Sequence, residues 1–356
     1  MGKAVTDCAC PNAQCAMFGK IGKGNIVLHG FLKLKRGRRR RYRCEACGRT
    51  FVSSVGTPYH RLKCTRAQFD RVAALSVEGM SKSGIARVMH LSWNTVARWL
   101  QRAAEAAERF SDRVLRGYML TELQADEIRT FIDSKKRVQW VLAAIEVWSR
   151  LWVSLVLGRR SYRNVRRLLA DAFHRGECGR IPLITTDGNR YYRIVLGRLF
   201  GRGCIHGRIV KTFRKGRVSK VERDLSIGSE WQLEEALLYS EDSDKLNTSF
   251  VERLNLTIRQ GSAYLRRRSP AHARQGECLA GQLELLRCYY NFVRPHMALK
   301  FGREIRTPAM QAGLVGRRLT FRDIFTAVAE FLRLMALAIR VRCRRQGLIP
   351  RSALAL

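Results

Sequence analysis

The 356 residues include 67 Lys and Arg against 29 Asp and Glu, a formal net charge of +38. Such one-signed charge repels itself in a compact chain and calls for a polyanion, so nucleic acid leads an anionic membrane as partner, and no small-molecule substrate is expected. A hydrophobic share of 46% excludes a disordered basic tail and suffices for two or three packed domains.

The first 64 residues hold six of the eleven cysteines. The start, MGKAVTDCAC, has no apolar signal core, and the cysteine count is odd. Thiols or metal ligands in a reducing, cytoplasmic and nucleoid-associated setting are therefore expected rather than disulfides. A loose myristoylation pattern at Gly2–Thr6 and a glycosylation pattern at Asn247 are set aside. Cys10 and Cys15 form one short pair, and Cys44 and Cys47 form another. Two such pairs describe a four-thiolate zinc ribbon with one structural Zn²⁺, whose binding supplies folding energy that a small basic module lacks. Gly48 suits the knuckle turn, and Phe51 and Val52 are expected to pack beneath it. Cys8 competes with Cys10, and Cys64 reads as a buried thiol. Between the pairs runs KLKRGRRRRYR, with eight basic residues in eleven. It is either a solvated loop or, as favoured here, a hairpin that tracks phosphates through Arg38, Arg39, Arg40 and Arg41.

Residues 65–112 have helical spacing. A first helix carries Phe69, Val72, Ala73 and Leu75 and ends at Gly79. Ser81 or Ser83 starts a short second helix, and Ser92 caps a third. Short helix, tight turn, helix is the helix-turn-helix pattern, which would turn Trp93, Asn94, Thr95 and Arg98 toward a major groove. A plain three-helix bundle is the alternative. Ala103 to Ala107 extends the third helix as a linker or dimer contact.

From 118 to 300 strands and helices alternate. QADEIRTF reads as a strand bearing Asp126. Val138 to Leu157 is apolar, but Glu146 and Arg150 near its centre argue for a buried hairpin rather than a membrane span. SYRNVRRLLADAFHR is an amphipathic helix. IPLITTDGN is a buried strand that stops at Asp187, a helix covers Tyr191 to Leu199, and CIHGRIVKTF is a further strand. This order predicts an α/β, RNase H-like core, a mixed five-stranded sheet with flanking helices. That fold sets Asp126 and Asp187 side by side. NTSFVERLNLTIRQG supplies a third carboxylate, with Val251, Leu254 and Ile258 inward and Glu252, Asn255 and Arg259 on an adjacent face. Three close carboxylates repel one another unless two Mg²⁺ ions relieve them, and such ions clamp a phosphodiester for in-line attack. Taken singly, an Asp-Gly is often a turn and a helical Glu a solvated face. Glu122 and Glu127 lie close enough to Asp126 in sequence to be mistaken for it. Asp133 and Asp171 read as surface residues, and Lys215 to Asp244 as an insertion without a place. Arg259, Arg266, Arg267 and Arg268 are candidates for gripping DNA backbone. His296 reads as structural or a phosphate contact. Residues 301–356 form a helical basic tail, whose apolar stripe suits a packing helix or a dimer surface.

The chain resembles the DDE-type bacterial insertion-sequence transposases, most closely the insertion sequence one group. The resemblance spans almost the whole chain, on CPNAQC...YRCEACGRTF, GIARVMHLSWNTVARWL, QADEIRTF, TTDG, NTSFVERLNLTIRQ, LLRCYYNFVRPHMALKFG and RTPAMQAGL. It implies Mg²⁺-dependent catalysis by Asp126, Asp187 and Glu252, which frees 3′ ends by hydrolysis and joins the 3′-OH to target DNA. It also implies that the ribbon and helix-turn-helix bind the element's terminal inverted repeats in double-stranded DNA, within a homo-oligomeric synaptic complex. Head and core lie in one continuous frame here, whereas the best-known relatives split them, and the stretch from Asp187 to Glu252 is longer than in many relatives. A catalytically silent zinc-ribbon repressor and a stand-alone nuclease of the same fold are the competing readings.

Overall fold

The computed structural model describes residues 8–33, 38–214, 217–240 and 242–327. Residues 34–37 of the basic run, Gly2–Thr6 and the tail beyond residue 327 lie outside them. Strands β1 (Ile26–Lys33), β2 (Arg38–Cys44) and β3 (Thr50–Phe51) make a small antiparallel sheet. It has its own hydrophobic cluster of Cys10, Cys15, Ile26, Tyr42 and Cys44, with Phe51 packed on it. Tyr42 is buried and tilts against Phe51, so it packs rather than stacks outward. Cys64 is only half-buried.

Three helices follow: α1 (Arg66–Val77), α2 (Lys82–Met89) and α3 (Trp93–Val114). Their starts are written locally, because Thr65, Ser81 and Ser92 each accept a hydrogen bond from the backbone N–H three residues on. The first helix ends at Val77, and Gly79 follows at φ +82. Its role exceeds a stop signal, since a Cβ there would lie 2.3 Å from the carbonyl oxygen of Gln260. The third helix corrects one expectation. Ala103, Ala104, Ala106 and Ala107 are neither linker nor free surface; they are buried, and Ala104 packs at Gly281. Small side chains let two helices approach closely here. The helical block thus shares one continuous buried cluster with the sheet that follows.

The two-residue strand β4 (Tyr118–Met119) leads into β5 (Glu122–Phe131), β6 (Val138–Glu146) and β7 (Leu151–Gly158). Then come α4 (Tyr162–Arg175), the short β8 (Gly176–Glu177), β9 (Leu183–Asp187), α5 (Arg190–Leu199), β10 (Ile205–Arg214) and β11 (Arg217–Ile227). The main sheet is mixed and has order β11-β10-β9-β5-β6-β7. Strands β5, β6 and β7 are antiparallel, while β9 runs parallel to both β5 and β10. The apolar stretch at 138–157 is the β6–β7 hairpin. Six strands replace the five expected. The extra one, β11, pairs antiparallel with β10 and comes from the polar stretch that sequence could not place. Its pattern is polar because it is an edge strand.

Helices α6 (Glu230–Leu238), α7 (Ser249–Gly261) and α8 (Gly276–Cys288) follow, then a ribbon of β12 (Lys300–Phe301) and β13 (Glu304–Ile305), and the short α9 (Pro308–Gln311) and α10 (Phe321–Thr326). α10 buries Phe321, Ile324 and Phe325, with Arg322 bound to Asp70 at 2.6 Å. The opposite edge strand, β7, is closed by a side chain: buried Asn291 accepts from the backbone N–H of Trp152 and donates to its carbonyl, both at 2.9 Å. This mimics a ladder rung on an otherwise open edge. Among the described residues no helix is long and apolar enough to cross a membrane.

Candidate active site and metal centre

The parallel pairing of β5 and β9 sets the site. The register runs from Glu122 opposite Leu183 to Ala125 opposite Thr186, so Asp126 and Asp187 come next on neighbouring strands. Alternation along β5 turns Glu127 to the other face, yet the end of β9 is reachable from both. Carboxylate oxygens of Asp126, Glu127 and Asp187 all lie within 4.8 Å of one another. Of the two neighbours that sequence reading weighed, Glu127 joins the group. Glu122 does not; it is buried and accepts hydrogen bonds from Ser240 and Ser243 at 2.9 Å each.

The surroundings are apolar enough to matter. Burial first, then the nearby charges of Asp187 and Glu252, push Asp126 up to about 6, against the hydrogen bond from the Glu127 backbone N–H. Burial and Asp187 push Glu127 up to about 7. Its side chain is only 1% exposed. Arg160 bridges Asp187 at 2.9 Å and Glu127 at 3.2 Å, and Asn189 donates to Glu127 at 2.7 Å. Behind Asp187, His206 is held neutral by burial, with its pKa pushed down to about 4, and it lies 3.0 Å from the Thr186 hydroxyl.

Glu252 is not drawn into the group of three. It projects from the first turn of α7, where Thr248 donates to it at 2.8 Å and Lys211 on β10 forms an ion pair with it. It still lies close enough to raise Asp126. One turn on, Asn255 donates to Asp126 at 2.8 Å. The start of α7 has no side-chain cap of its own. Gln124, fully buried on β5, supplies it: its side-chain oxygen accepts from the backbone N–H groups of Phe250 and Val251 at 3.1 Å each. Gln124 and Asp126 are two apart on one strand face, so one face of β5 fixes helix α7 twice. Sequence reasoning missed Gln124, although its spacing from Asp126 carried the signal. It also missed Arg160 and Lys211, which nothing in their local pattern marks.

The basic candidates divide by place. Arg38, Arg40 and Arg41 are exposed and Arg39 half-buried on β2. Trp93, Asn94 and Arg98 are exposed at the start of α3, Thr95 half-buried. Lys82 lies 5.4 Å over the Trp93 ring. Arg266, Arg267 and Arg268 are exposed just past α7, and Arg259 feels both Arg267 and Asp126. His296 lies edge-on to Tyr290, its pKa pushed down to about 4 by burial and neighbouring arginines. Asp133 pairs with Arg137 at 3.5 Å. Asp171 is no plain surface residue: it holds the buried Arg175 at 2.7 Å.

No family model matches the chain, and no curated protein matches it. Among solved structures it is similar to a piggyBac transposase in a synaptic complex with hairpin DNA, at 9% identity and a TM-score of 0.33, over 85% of this chain and 79% of that one. A TM-score that low does not establish a common fold, so residue chemistry has to carry the functional reading.

Beside the small N-terminal sheet, the sulfurs of Cys10, Cys15, Cys44 and Cys47 also lie within 4.8 Å of one another, and Cys8 stays outside the four. Cys10 and Cys47 are 3.7 Å apart, Cys15 and Cys44 3.9 Å. Four thiolates at about 2.3 Å from a tetrahedral zinc stand about 3.8 Å apart, so the set fits that ion. The Arg49 backbone N–H draws Cys47 down to about 6, while burial pushes Cys10 up to about 12. A cation is what would let all four ionise together.

Proposed function

We propose that this chain is a DNA transposase of the DDE type, with an RNase H-like core widened by β11. The observation that carries the reading is the meeting of Asp126, midway along β5, with Asp187 at the end of the parallel strand β9, and a helix bearing Glu252 pinned to β5 by Gln124 and Asn255. A cluster of buried, mutually repelling carboxylates in a chain of formal charge +38 suits metal-dependent work on a polyanion.

In this reading residues 1–64 and 65–112 bind the terminal inverted repeats of an element, 118–300 cut and join DNA, and 301–356 complete a homo-oligomeric synaptic assembly. Asp126 and Asp187, with Glu252 brought in from α7, hold two Mg²⁺ ions. Bound there, such ions activate the attacking oxygen and stabilise the leaving one. Asn255 orients Asp126, and Asn189 orients Glu127. Arg259, Arg266, Arg267 and Arg268 hold the DNA backbone beside the carboxylates. Cys10, Cys15, Cys44 and Cys47 hold one structural Zn²⁺ beneath the basic hairpin. Trp93, Asn94, Thr95 and Arg98 read bases, while Arg38 to Arg41 contact phosphates.

The test uses purified protein, Mg²⁺ and labelled linear DNA carrying the element's own flanking repeats, beside Asp187→Asn. Nicks at the repeat 3′ ends, absent from the variant, are expected. Specific binding with no cleavage in Mg²⁺ or Mn²⁺ would favour a silent DNA-binding repressor instead.

A further inference from the structure

Two cations stand on the candidate carboxylates from opposite sides. Arg160 follows β7 and bridges Asp187 and Glu127 at 2.9 and 3.2 Å. Its guanidinium also lies 5.2 Å over the Trp140 ring, a cation–π contact that keeps the head group beside the carboxylates. Lys211 comes from β10 and pairs with Glu252. Both side chains are about one-third exposed, at 36% and 33%, so each already borders solvent.

Charge counting gives these pairs a meaning. With all four ionised, as metal binding requires, the carboxylates of Asp126, Glu127, Asp187 and Glu252 face two cations, which leaves two negative charges. Two divalent ions would overshoot by two, and two DNA phosphates restore the balance. A carboxylate committed to a divalent ion has less charge to offer a side chain, while a phosphodiester beside it offers a full one.

We infer that Arg160 and Lys211 are exchange cations, which neutralise Asp187, Glu127 and Glu252 while no divalent ion is bound and transfer to the phosphates of DNA once it is. This rests on the metal-carboxylate reading above. The two residues then exclude unproductive metal binding and add phosphate contacts only when the site is loaded. Such a role differs from that of the arginines past α7, none of which holds a group carboxylate.

The full-length protein and its Arg160→Gln, Lys211→Gln, Arg160→Lys and Asp187→Asn variants would be titrated with Mn²⁺, followed by the electron paramagnetic resonance signal of the free ion. Binding of a short mixed-sequence duplex would be measured across a salt series, with Ca²⁺ and with no added divalent ion. Each glutamine variant is expected to bind Mn²⁺ about two- to fivefold more tightly, the scale of one part-exposed ion pair. Each should bind duplex more weakly in Ca²⁺, with a salt slope smaller by about one. Without divalent ion the loss of duplex affinity should be smaller, because the cation is then held by its carboxylates and not by phosphate. Arg160→Lys, which keeps the charge, should stay near the parent in both assays. Unchanged or weakened Mn²⁺ binding in the glutamine variants overturns the inference, as does an equal loss of duplex affinity with and without Ca²⁺. If Mn²⁺ binding by the parent survives Asp187→Asn, the metal-carboxylate reading itself fails and takes this one with it.

Discussion

Replacing Gln124 by Ala should uncouple the glutamate helix from the strand that carries Asp126. The side chain is fully buried and makes three hydrogen bonds: two accepted from Phe250 and Val251 and one donated to Asn247 at 3.1 Å. Losing a helix cap costs about 1 kcal/mol, and each buried amide left without a partner about 1–3 kcal/mol. Allowing for partial rescue of the more exposed amide by water, the loss should be about 2–4 kcal/mol. Urea unfolding of the full chain reads this as a lower midpoint at unchanged slope. Gln124→Glu should recover part of it, because a carboxylate accepts the same two amides at a helix N-terminus. Cleavage of repeat-bearing DNA should fall further in the alanine variant than global stability explains, since Glu252 loses its fixed place. A loss below about 0.5 kcal/mol with unchanged cleavage would refute the idea that Gln124 positions α7.

Divalent-ion affinity should climb as pH rises from about 5.5 to about 7.5, through the raised values of Asp126 and Glu127, because protons and metal compete for the same oxygens. The linked stability runs the other way. Folded carboxyls that hold protons to higher pH than unfolded ones stabilise the fold in acid, and that contribution is lost as pH rises through about 6 to 7; calorimetry of Glu127→Gln should show the dependence flattened. Cys44→Ser or a zinc chelator should unfold the N-terminal sheet and release one zinc per chain in a colorimetric assay, while the β-sheet core keeps its own melting transition, because the two have separate buried clusters. Asn291→Ala should cost about 2–4 kcal/mol in the same urea assay, since it strands both backbone groups of Trp152.

Sequence made the strands and helices around the site legible because their signals are local. The helix starts at Ser81 and Ser92 need only a hydroxyl three residues ahead of an amide, and Thr65 starts the first helix in the same way. The β6–β7 hairpin showed in a Val-, Ile- and Trp-rich stretch interrupted by Glu146 and Arg150 near its centre. The approach of Asp126 and Asp187 was expected once the element order was matched to an RNase H-like topology, and the cysteine spacing foretold the thiol cluster. What escaped was set by contacts between distant segments. β11 is polar because it lies at an edge, so no periodic core face marked it. Whether Glu127 or Glu252 joins the aspartates depends on the height of α7 above the sheet, which Gln124 and Lys211 fix from other strands. The buried alanines of α3 looked like a connector, because only the facing glycine on α8 shows why small residues stand there.

Helix α3 spans 22 residues, about 33 Å of unbroken rod. Its first turn exposes Trp93 and Asn94, and its last turns are sunk in the core through Phe110 and Val114. No hinge separates the two ends. A surface engaged at Trp93 is therefore held at a set distance and rotational phase from the interior, as by the arm of a caliper. One residue inserted at mid-helix would swing that surface by about 100° and leave every side chain of it intact.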